Sequence, residues 1–103
     1  MSKVDTKEII INIKDLSILK EQFVDDLQRF LVEQLPQIEL SRNGNELEIV
    51  MPLKLSKRAI KLRLKKFLYR KNLNEKYRPI SYNTNNQSGY MIKEKKVLEL
   101  TYY

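Results

Sequence analysis

The chain has 103 residues, 42% hydrophobic, with 20 Lys plus Arg against 13 Asp plus Glu for a formal charge of +7; these values describe one globular domain spanning 1–103 and argue against wholesale disorder. Neither Cys nor His occurs, which excludes disulfide scaffolds, thiol catalysis and cysteine-ligated zinc, and removes the commonest general base and metal ligand. No apolar run nears the roughly 20 residues that span a bilayer, and Met1 to Asp5 has no apolar signal segment behind it, so the expected setting is the cytosol or nucleus.

Lys7 to Lys14 is β-branched and apolar and reads as a strand. Asp15 or Ser17 can cap a following helix, on which Leu19, Phe23, Leu27, Phe30 and Leu31 share one face. Glu21, Asp25 and Asp26 lie off that stripe, toward solvent, and Pro36 marks the stop. In 37–51, Ile38 and Leu40 alternate with Glu39, and Leu47 and Ile49 with Glu46 and Glu48. Asn43-Gly44 between them signals a hairpin, because such a turn needs φ > 0. Pro52 ends it. A second helix is capped by Ser56, runs from Lys57 to Lys71, and closes at Asn72 or Asn74.

Tyr77 to Tyr82 reads as a strand, placed at a sheet edge by Pro79. Asn83 to Gly89 reads as a polar turn or loop, and Tyr90-Met91-Ile92 either extends the strand before it or opens one after it. Val97 to Tyr103 reads as a terminal strand. The expected fold is therefore α+β: two helices packed on one face of a small, largely antiparallel sheet, in the order strand, helix, hairpin, helix, strands.

The charge divides unevenly. Residues 1–51 carry 6 basic and 10 acidic side chains, whereas residues 52–103 carry 14 basic and 3 acidic. Such asymmetry points to a polyanion met by one face. From Lys54 to Lys71 there are nine basic residues and no acidic one. An ordinary surface helix mixes signs, since Glu–Lys pairs stabilise it and like charges cost a few tenths of a kcal/mol. At 100° per residue Ile60, Leu64, Phe67 and Leu68 form the core stripe. Arg58, Lys61 and Lys65 flank it on one side and Arg63, Lys66 and Arg70 on the other, with Leu62 and Tyr69 outward between them. Two basic edges of this kind suit phosphates on both sides of a groove, and Arg78 with Lys93, Lys95 and Lys96 extends the surface.

Three other readings compete: a solvated lysine face, a helix lying on an anionic membrane, and a calmodulin-type target. The last two need the apolar stripe that the fold needs as core. Tyr69 is the one aromatic expected among exposed cations, where it can stack on a base or bond to RNA. Signs of catalysis are few. Asp25 and Asp26 point in different directions on a helix, Glu46 and Glu48 have no neighbouring metal ligand, and the two glycines are 45 residues apart, so no phosphate-cradling loop is present. The expectation is no enzyme, no cofactor, no metal and no small-molecule substrate.

Ser56-Lys57-Arg58, Lys61, Lys65-Lys66-Phe67-Leu68, Asn72-Leu73 and Arg78 resemble the eukaryotic-type ribosomal protein twenty-two family of the large (60S) subunit. Val97 to Tyr103 resembles that family's closing strand, and the first half is similar in pattern. The resemblance implies a structural constituent of the cytosolic large subunit, a ribonucleoprotein component of translation, with large-subunit rRNA and neighbouring ribosomal proteins as partners and with nuclear or nucleolar assembly. The alternative is an extra-ribosomal regulatory protein binding structured RNA. Lys57, Arg58, Lys61, Lys65 and Lys66 carry over as RNA-binding positions; the wheel adds Arg63, Tyr69, Arg70 and Lys71, and the charge pattern adds Arg78. The family's acidic C-terminal tail and basic N-terminal extension have little counterpart here, which implies a pared-down member. The Lys76-Tyr77 region stands where the family places a Trp.

Overall fold

A computed structural model describes residues 6–83 and 88–95. The fold is α+β. Its elements in chain order are β1 (Thr6–Asn12), α1 (Lys14–Leu19), α2 (Glu21–Gln34), β2 (Glu39–Asn43), β3 (Glu46–Pro52), α3 (Lys57–Arg70), β4 (Tyr77–Asn83) and β5 (Ser88–Glu94). The expected closing strand at Val97 to Tyr103 lies outside the described residues.

The five strands form one open sheet in the order β2-β3-β1-β5-β4. β1 is central. It pairs antiparallel with β3, placing Ile9 opposite Ile49, and parallel with β5, placing Ile11 beside Tyr90. The sheet is thus mixed: among the described residues three of its pairings are antiparallel, as expected, and one is parallel. A parallel pair needs a long connection, and here almost the whole chain lies between its two members. β1 joins the two chemical halves of the sequence, with the acidic β2–β3 hairpin on one side and the β4–β5 pair on the other.

Side chains alternate across the strands. Ile9, Ile11, Leu47, Ile49, Met51, Tyr77, Tyr90 and Ile92 are buried and pack with the helices in one core cluster. The helices contribute Leu16, Val24, Leu27, Phe30 and Leu31, then Ile60, Leu64, Phe67 and Leu68. The Phe30 and Phe67 rings meet at 5.7 Å between centroids, tilted by 50°.

Three helices stand where two are expected. Lys20 adopts φ −171° and ψ 120°, which ends α1 and starts α2. The break turns Leu19 out of the expected stripe to 44% exposure, while Leu16 and Val24 fill the core. Neither Asp15 nor Ser17 caps α1. Asn12 Oδ1 accepts from the Lys14 N–H instead, Asp15 accepts from the Glu94 N–H on β5, and Ser17 donates to Glu21. The β2–β3 turn is centred one residue later than expected, on Gly44-Asn45, because Asn43 pairs with Glu46. Gly44 has φ 64°, the glycine-first arrangement of a type II′ turn.

Arg42 on β2 binds Glu21 through two nitrogens, at 2.8 and 3.1 Å. The Arg42 bond first, and the Ser17 bond second, pull the Glu21 carboxyl down from 4.5 to about 2. Because the folded value lies below the unfolded one, this stabilisation is complete above about 4.5 and is lost as pH falls toward 2. Thermal midpoints should therefore fall over that window, and Arg42→Ala should flatten that part of the profile. An unchanged acid profile in Arg42→Ala would contradict the assignment.

Candidate nucleic-acid interface

The basic helix begins and ends on local signals that its own charge does not supply. Ser56 accepts from the Arg58 N–H at 3.0 Å, a cap worth about 1 kcal/mol. The first turn carries no acidic residue but does carry Lys57 and Arg58, which oppose the helix dipole. At the other end Asn72 takes φ 61°. The Leu73 N–H reaches Leu68 O and the Asn72 N–H reaches Tyr69 O, which is a Schellman closure with Asn in the glycine position.

The two edges of α3 have different neighbours. On the α2 side, Lys71 is ion-paired to Asp26 at 3.0 Å and half-buried, and Arg70 lies 5.4 Å over the Phe30 ring. Asp26 and Glu33 line this groove together with Arg29, Arg70 and Lys71. The Asp26 carboxyl is held below its usual range, first by a bond from Gln22 and then by Lys71. Arg63 is half-buried, its Nε sealed from solvent with no hydrogen-bond partner among the described residues. The second free basic edge that the wheel draws through Arg63, Lys66 and Arg70 therefore does not form: Arg70 lies in the α2 groove with Lys71, Arg63 is half-buried, and Lys66 lines the trough with Lys65. Asp26, expected to face solvent, is part-buried in the same contact.

The opposite edge faces β4 across an open trough. One stretch, about 520 Å³, is lined by Leu62, Lys65, Lys66, Tyr69, Arg78 and Lys95 over a floor that includes Leu68, Tyr77 and Pro79. A second stretch of about 300 Å³ shares Leu62 and Lys65 and continues to Arg58, Lys61, Ser81 and Tyr90. Among the described residues, six cations border the trough and no carboxylate lines it. β4 is an edge strand, so Pro79 occupies a position where a missing N–H costs little. Lys95 is held by its own N–H on Lys76 O at 2.7 Å and by its ammonium on Asn74 O at 2.9 Å.

Lys57 stands apart, its ammonium 4.9 Å from the centre of the Tyr90 ring. Tyr90 donates to Lys57 O at 3.2 Å, tying β5 to the start of α3, and burial raises its phenol pKa. Of the expected site residues, Arg58, Lys61, Lys65, Lys66, Tyr69 and Arg78 are gathered at the trough. Lys93 is Arg78's cross-strand partner, and Lys96 lies outside the described residues. Tyr77 and Pro79 were not singled out for the site; their signal was the edge strand, whose neighbour in space the sequence leaves open.

Among the described residues, no group of three or more His, Cys, Asp or Glu is placed to hold a metal ion, and no helix is long and apolar enough to cross a membrane. No protein-family model matches the chain, and no curated protein matches it.

Proposed function

We propose that the chain is a structural constituent of the cytosolic large ribosomal subunit, of the eukaryotic-type large-subunit ribosomal protein twenty-two family, and that it binds large-subunit rRNA through the trough between α3 and β4. The observation that carries this reading is the trough itself: among the described residues, four cations from α3, Arg78 from β4 and Lys95 just past β5 surround one open surface that no carboxylate lines. Supporting it is the residue pattern from Ser56 to Arg78, four of whose five carried-over cations border that trough.

The mechanism is electrostatic and shape-based. Lys places point charges and Arg a planar fork against phosphates, displacing condensed counterions. A-form RNA hides its base edges in a deep, narrow major groove, so a helix edge of this kind reads backbone and shape. The role is holding RNA beside neighbouring ribosomal proteins, with no catalytic step.

Co-sedimentation with purified large subunits in high salt tests the reading. The chain is expected to remain with the particle. Release from the particle, with retained binding to free structured RNA, would contradict a ribosomal role and favour an extra-ribosomal regulatory protein.

A further inference from the structure

We infer that the trough accepts an unpaired nucleotide of the RNA, with the base laid against Tyr69 and Leu62 and the flanking phosphates on the surrounding cations. This rests on the reading that the trough binds RNA. A purely phosphate-binding surface has no use for apolar groups, yet Leu62 is 48% and Tyr69 70% exposed in the cationic trough. Tyr69 is the aromatic residue most open to solvent among the described residues. Ile18 and Leu19, also exposed, line a groove with Asp15 and Glu94 instead, where a phosphate would be repelled.

A paired helix offers this apolar surface nothing to bind, because its exterior is phosphate, 2′-hydroxyl and base edge. An unpaired base has two π faces, and stacking on an aromatic side chain recognises them whatever the sequence. The space agrees. About 520 Å³ in the apolar stretch falls within the roughly 300–1,000 Å³ of small-ligand clefts. Lys65, Lys66, Arg78 and Lys95 line the same stretch, so phosphates on either side of the base have partners within it.

Two RNAs separate the possibilities: a fully paired duplex, and the same duplex with one bulged 2-aminopurine nucleotide. Anisotropy gives affinity, and 2-aminopurine emission reports stacking. The bulged RNA is expected to bind roughly 5- to 150-fold more tightly, the span of one base–aromatic stack. Tyr69→Ala should bring the affinity for the bulged RNA down to that for the duplex, and Tyr69→Phe should keep the margin. Equal binding of the two RNAs by the native protein, or a margin that survives in Tyr69→Ala, would overturn the inference while leaving RNA binding by the trough intact. Binding of neither RNA would sink the inference and the RNA-binding reading together.

Discussion

Replacing Lys65 and Lys66 together by Glu is expected to weaken rRNA binding by at least about a hundredfold, and to reduce the dependence of log K on log salt by about two. Both side chains are exposed and both line the trough. Among the described residues, no hydrogen bond or ion pair ties either of them to the fold. Surface substitutions of this kind usually change stability by about 0.5 kcal/mol or less. Here the change also relieves repulsion along a helix with no acidic residue of its own. The thermal midpoint should therefore hold while binding fails. Reversing Arg70 is the control. Its guanidinium lies over Phe30 in a groove that already contains Asp26 and Glu33, so Arg70→Glu should affect binding far less. If Arg70→Glu proved the more damaging change, the interface would lie on the α2 side of the helix.

Gly89→Ala is expected to destabilise the fold by about 3 kcal/mol or more, a large part of the roughly 5–15 kcal/mol that holds a domain together. Gly89 sits beside Ile10 where β5 pairs with β1. A Cβ there would lie 1.7 Å from the Ile10 carbonyl oxygen and 2.7 Å from its carbon and nitrogen. Those are backbone atoms of the central strand, so one strand must move. The pairing lost is the one that joins the two halves of the sheet. Gly44 gives the contrast: its φ is 64° but nothing lies within 4 Å of an added Cβ. Gly44→Ala should cost only the left-handed conformation, on the order of 1–2 kcal/mol. Urea denaturation of the two variants checks both expectations, and comparable stability losses would show that the close approach at Gly89 is not a constraint.

The local grammar of the chain was largely readable. The Ser56 cap, the Asn72 closure, the Ile60, Leu64, Phe67 and Leu68 stripe and the edge strand marked by Pro79 are each set by chemistry within a few residues. Nonlocal choices were less legible. No Gly or Pro announces the break at Lys20; its extended backbone separates α1, which contacts β5, from α2, which packs on α3 and β2. Gly89 reads as loop because its neighbours are polar, yet its position is fixed by a strand nearly eighty residues earlier. The helical wheel shows two basic flanks on α3 but not which one meets Asp26. That depends on where α2 lies, and it sets Arg70 and Lys71 in an ion-paired groove while Lys66, on the same flank of the wheel as Arg70, lines the open trough.

The division of charge acquires a location as well. The acidic hairpin β2–β3 and the β4 edge bordering the cationic trough stand at opposite sides of β1, so the proposed polyanion contact lies at one end of the sheet. Arg58, Lys61, Lys65, Lys66, Arg78 and Lys95 border the trough proposed for that contact. The most direct test of this account is the affinity of the native chain for large-subunit rRNA across a salt series. With about six phosphates neutralised, log K should fall against log salt with a slope of roughly −4 to −5; a flat response would contradict it.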